Sequence, residues 1–199
     1  MMKKRIFLTG VGGQGTLTAT TILARTAMSL GIEVTSGEIH GMAQRGGVVE
    51  STVLLGGWLS PTIAPGEADI LLGFEPLETL RGLHYLAPGG VVVSSTEGVS
   101  PVSVSMGKDT YPDLDDIRTA VRVCSASCCF LPIRTMGAEA GAVQSGNLSL
   151  LGALCVGGDI PIGVEDLKAT IRTMMRPALA EINCRAVELG AEHVTCSLD

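Results

Sequence analysis

The chain has 199 residues, with 14 basic and 20 acidic side chains and a formal net charge of -6. That length fits one compact domain of about 100–200 residues with an ample core, so neither disulfides nor a structural metal are required. The acidic balance argues against a phosphate-backbone footprint and hence against nucleic acid, while 26 glycines and a 17% charged fraction describe an apolar chain rich in turns.

In chain order, residues 5–9 read as a short buried strand that ends in the turn Gly10-Val11-Gly12-Gly13-Gln14-Gly15. Leu17, Thr20, Thr21, Ala24, Ala27, Met28 and Leu30 then recur at helical spacing, and Gly31 closes that helix. Strands are expected at 32–36 and 48–55, with a short edge piece at 58–63 behind the Gly56-Gly57 turn. A buried strand at 70–74 leads into a helix from Pro76 to Leu86, a Pro88-Gly89-Gly90 turn and another strand at 91–94. A helix over 113–122, a strand within 123–133, helical character from 137 to 155 and amphipathic helices at 164–175 and 177–189 complete the pattern, with 191–199 as a loose tail. This order implies an α/β fold: a three-layer, Rossmann-like, mostly parallel sheet with helices on both faces and a helical C-terminal segment, one domain over 1–190.

The uncharged stretches 6–24 and 140–158 are interrupted by glycines and polar residues, which excludes membrane spans. The amino terminus has no secretory cleavage pattern, so the cytoplasm is the expected compartment. Six cysteines lack C-x-x-C or cluster spacing, and no metal ligand set is evident. Cys128 and Cys129 are adjacent and would face opposite sides of a strand.

Gly10, Gly12 and Gly15 fit G-x-G-x-x-G between a strand and a helix, where backbone amides and the helix N-terminus can receive a phosphate. Glu38, 28 positions after Gly10, is a late but possible ribose-binding acid of a dinucleotide fold, and Gly13 and Gln14 are not the usual spacers. The glycines could instead serve only a tight turn. Residues 38–47 form a second loop carrying His40, Met42, Gln44, Arg45 and Gly46. Both loops should lie at the carboxyl ends of the strands, where ligands of α/β sheets collect. There Arg45 can fork onto phosphate or carboxylate, Gln44 can orient a carbonyl, and His40 can move a proton; alternatively Arg45 caps loop carbonyls and His40 is a satisfied side chain. Glu75, at a strand's carboxyl end, could face the same cleft, with Glu78 behind it. No G-x-S-x-G, G-x4-G-K-[ST] or H-E-x-x-H motif is present.

GVGGQG at 10–15 with Thr16, HGMAQRGG at 40–47, GEADI at 66–70, FEPL at 74–77, PGGVV at 88–92, Gly146-Asn147 and LGA at 151–153 together resemble the gamma-type subunit of 2-oxoacid:ferredoxin oxidoreductases, over residues 3–190. Within that family the indolepyruvate branch is the most similar. The resemblance implies oxidative decarboxylation of a 2-oxoacid, indolepyruvate or another aryl pyruvate, with coenzyme A as cosubstrate and ferredoxin as electron acceptor. It implies that thiamine diphosphate, Mg and [4Fe-4S] clusters sit in a companion subunit, that this chain holds no catalytic residue alone, and that the isolated chain is inactive. Gly10, Gly12, Gly13, Gln14, Gly15, Thr16 and Arg45 are then cofactor-contacting candidates. His40, Met42, Gln44, Gly46, Glu75 and Asn147 are candidates at the substrate or subunit interface. The companion subunit, ferredoxin through the complex, and a self-dimer are the expected partners. The competing reading is a free-standing NAD- or FAD-binding protein resting on the glycine loop and Glu38.

Overall fold

The computed structural model describes residues 2–40, 47–101, 104 and 106–197. Among the described residues six strands, β1 (Lys4–Val11), β2 (Val34–His40), β3 (Val48–Leu55), β4 (Ala68–Gly73), β5 (Leu86–Ser95) and β6 (Ser127–Leu131), form one sheet in the order β2-β3-β1-β4-β5-β6. β1, β4, β5 and β6 run parallel, and β3 is antiparallel to both β1 and β2. The helices are α1 (Thr16–Ser29), α2 (Pro76–Gly82), α3 (Leu114–Cys124), α4 (Ile133–Ala140), α5 (Asn147–Gly157), α6 (Val164–Met174) and α7 (Pro177–Ser197).

Strand alternation sorts the core into two layers. Ile6, Leu8, Val53, Leu55, Ile70, Leu72 and Val93 pack on one face against α1, α5, α6 and α7. Phe7, Leu54, Leu71 and Val92 pack on the other, where Ile117 and Val121 of α3 close the layer. Cys129 joins the first layer and Cys128 the second, as adjacent strand positions require; burial pushes the Cys129 thiol up to about 11. Among the described residues no helix is long and apolar enough to cross a membrane.

The expected α/β order is present, with corrections. Residues 58–63 form no strand; Thr35 and Thr52 hydroxyls instead hold the carbonyls of Trp58 and Pro61, and Pro61 has no amide to give a ladder. β5 begins at Leu86 and absorbs Pro88-Gly89-Gly90 as an irregularity, since Ala68 pairs with Leu86 and Ile70 with Val91. The helical character expected around Asn147 within 137–155 is present as α5, and it is preceded by a break at Gly141 (φ +117), which ends α4, and by a 3-10 turn. The tail expected from residue 191 is helical through Ser197, because Val194 still reaches the core.

Chain reversal occurs at β1. The α1 connection leads to β2 on one side and covers one face, while β4, α2 and β5 proceed on the other side with α2 on the opposite face. The carboxyl ends of β1 and β4 therefore flank a topological switch point.

Candidate functional site

β1 delivers the glycine loop to this switch point. Gly10, at the end of the strand, lies so close to β4 that a Cβ there would stand 2.8 Å from Phe74 Cβ, and Phe74 N donates to Thr9 O (2.8 Å). The turn is closed by Gln14 N to Val11 O (3.1 Å), and Gln14 Oε1 folds back to accept from Val11 N (2.7 Å). Gln14 thus braces its own loop. Gly15 caps α1 in the left-handed region (φ +80) with no side-chain cap, and no acidic residue stands in the first turn. Among the described residues the Gly13 and Gly15 amides have no acceptor, and with the helix dipole they face a cleft of about 360 Å³ lined by Gly12, Gly13, Gly15, Thr16, Leu17 and Val49. Thr16 is buried (2% exposed) and its Oγ1 has no hydrogen-bond partner among the described residues. Such an orphan hydroxyl, beside uncapped amides, fits an anionic oxygen that would accept from it.

The second loop leaves from the same rim. His40 pairs with Val49 and Val11 with Val48, and Gly12 N donates to Gly47 O (2.9 Å). Both ends of the segment 41–46 are therefore anchored beside the glycine loop. Met42, Gln44, Arg45 and Gly46 themselves lie outside the described residues, as does the side chain of His40.

Asn147 is brought to the rim from far along the chain. It begins α5, is 7% exposed, and donates from Nδ2 to Gly15 O (3.2 Å). The N-terminus of α5 thus abuts that of α1, and the Asn147 amide occupies the space a side chain on Gly15 would need.

Glu75 is buried (1% exposed) and committed within the chain. One carboxylate oxygen caps α2 by accepting from Glu78 N (2.9 Å); the other accepts from Val99 N (3.1 Å) and from the Tyr111 hydroxyl. It acts as a clamp on the segment that follows β5. Burial and this carboxylate push the Tyr111 hydroxyl well above its ordinary range. Tyr111 was not signalled by sequence spacing, because it sits in an irregular stretch 36 positions from its partner. Glu78 is also buried; Arg81 holds Oε1 (2.7 Å), Oε2 has no partner among the described residues, and burial raises its carboxyl above the usual range.

The dinucleotide reading is not favoured. In that fold the strand after the first helix lies beside β1, whereas here β3 intervenes and places Glu38 two strands away. Among the described residues no group of three or more His, Cys, Asp or Glu side chains converges to hold a metal ion.

The sequence matches the family "Pyruvate ferredoxin/flavodoxin oxidoreductase" over residues 5–193. It is 39% identical to indolepyruvate oxidoreductase subunit IorB of Thermococcus kodakarensis, covering 96% of each chain, and 36% identical to the Archaeoglobus fulgidus subunit of that name, covering 95% of this chain and 94% of the other. The fold is similar to pyruvate oxidoreductase subunit PORC of Thermotoga maritima (TM-score 0.72, 19% identity, 97% of each chain). It is also similar to part of the 2-oxoglutarate:ferredoxin oxidoreductase of Magnetococcus marinus, solved with 2-oxoglutarate, coenzyme A and succinyl-CoA (TM-score 0.72, 17% identity, 98% of this chain and 32% of the other).

Proposed function

Because the chain belongs to the pyruvate ferredoxin/flavodoxin oxidoreductase family and is a subunit of an oxidoreductase acting on 2-oxoacids, we propose that it forms one wall of an active-site cleft completed by a companion subunit. The substrate is indolepyruvate or another aryl pyruvate, and coenzyme A takes up the acyl group. Thiamine diphosphate, Mg and [4Fe-4S] clusters belong to the companion, and ferredoxin receives the electrons there. Thiamine diphosphate, when bound, supplies the electron sink for decarboxylation.

The observation that carries this reading is the uncapped N-terminus of α1, with its orphan Thr16 hydroxyl, joined at one rim to both ends of segment 41–46. Amides of Gly13 and Gly15 would donate to a phosphate or carboxylate of coenzyme A or the oxoacid, while the Gly12 amide is held by Gly47 O, and Arg45 would add a forked charge-assisted contact. Val11, Leu17 and Val49 give the cleft apolar walls, and closure by the companion subunit would remove water from it and strengthen each of those bonds. Asn147 holds the loop in its donating shape through Gly15.

The test is Arg45→Ala in the assembled complex. Losing a charged hydrogen bond of about 1.5–3 kcal/mol should raise KM for coenzyme A or the oxoacid roughly 10- to 100-fold while assembly, read by size-exclusion chromatography, is unchanged. Unaltered kinetics would reject the role of Arg45 and with it the shared cleft.

A further inference from the structure

β6 closes one margin of the sheet and, among the described residues, pairs with β5 alone. Leu131 O accepts from Thr96 N on the β5 side, and successive residues of a strand turn their N–H and C=O to alternate sides. The main-chain groups of Cys128 and Phe130 therefore face away from β5. His193 Nε2 lies 3.1 Å from Phe130 O, which among the described residues leaves the Cys128 amide and carbonyl and the Phe130 amide as an open edge.

That edge is the floor of a cleft of about 450 Å³ between α3 and α7. Arg118 and Arg122 of α3 overlook it. Arg122 makes no ion pair among the described residues; Arg118 shares an exposed pair with Asp115 (3.1 Å) and lies 5.6 Å from the centre of the Phe130 ring. In a chain of net charge -6, two guanidinium groups over an unpaired strand make this margin locally basic. An open edge is a template for another strand, and strand addition takes affinity from main-chain bonds and selectivity from the flanking side chains. Pairing of two copies through β6 would crowd the arginines of both into one cleft, so like-charge repulsion disfavours self-association here.

We propose that this cleft receives an extended, acidic segment of the companion subunit, which adds a seventh strand beside β6 and sets its carboxylates against Arg118 and Arg122. The inference rests on the companion subunit proposed above.

Amide hydrogen exchange over residues 127–131 tests it, on the full chain alone and in the complex co-expressed with the companion. The Cys128 and Phe130 amides should exchange about tenfold or more slowly in the complex, and Arg118→Glu with Arg122→Glu should remove that protection and make assembly weaker. Arg118→Lys with Arg122→Lys should retain it, and circular dichroism verifies that each variant folds. Equal exchange in the two samples overturns the proposal; so does protection that grows with concentration in the free chain, which marks self-pairing. Oxoacid turnover of the wild-type complex reports separately: turnover without protection refutes the strand site alone, and protection without turnover refutes the functional reading alone.

Discussion

Asn147 and Gly15 are 132 positions apart, yet one hydrogen bond joins them at the rim. A Cβ on Gly15 would collide with the Asn147 amide, and its φ of +80 disfavours any L side chain. Gly15→Ala should therefore cost about 1–3 kcal/mol from backbone strain, with the collision added. Asn147→Ala should cost about 1 kcal/mol, because Gly15 O keeps its bond from Ala19 N. In the double variant the collision disappears, so urea denaturation should show a total below the sum of the singles by about 0.5 kcal/mol or more. Strict additivity would mean that the two residues do not meet. The glycine loop was legible in the sequence because its turn is local, whereas the close approach of Phe74 to Gly10 was not. Asn147 entered only through resemblance, since no local pattern announces a partner so distant.

At the scale of elements, α5 and α7 cross where both carry glycine. A Cβ on Gly152 would overlap the Val187 carbonyl, and one on Gly190 would overlap the Ser149 carbonyl. Backbone atoms cannot rotate aside as a side-chain tip can, so Gly152→Ala and Gly190→Ala should each destabilise by about 1–3 kcal/mol. Gly157→Ala, at the end of α5, meets only Val194 Cγ1 at 3.8 Å and should be neutral or slightly stabilising. Thermal unfolding separates these outcomes, and equal midpoints for the three variants would show that the close crossing is absent. The Ala-, Leu- and Gly-rich composition marked this region as helical, but its division at Gly141 depends on contacts that pattern alone does not encode. Likewise, hydropathy stops short of α7's end, where Val194 is the last core residue among those described.

For the whole molecule, acid stability reflects two carboxyls with opposite behaviour. Lys168, largely buried, bridges α6 to α7 through Glu188 (2.6 Å) and also holds Glu165 (2.8 Å). Its hydrogen bond keeps Glu188 below the ordinary carboxylate range. That stabilisation is complete above the unfolded value of about 4.3 and is lost as pH falls through the lower folded value. Because Glu188 is about one-third exposed, the contribution is at most about 1 kcal/mol. Glu78 acts in the other direction: burial raises its carboxyl, so its favourable term exists below the unfolded value and is lost as pH rises through the folded one. Urea midpoints should show Glu188→Gln losing less stability than wild type between pH 5 and pH 3, and Glu78→Gln gaining on wild type at pH 8 but not at pH 4. Parallel profiles for all three chains would refute the assignment.

The residues by themselves determined the strand–glycine loop–helix opening, the alternation of buried strands with helices and the two-sided apolar pattern, because these follow from periods of two and 3.6 residues and from turns of a few residues. Only the folded chain decided that β3 would enter antiparallel between β1 and β2, that Gly12 would bond Gly47, and that α5 would bring Asn147 to Gly15. Strand order and helix crossings are fixed by which distant surfaces bury one another most completely, an energy shared among many residues and carried by no short segment.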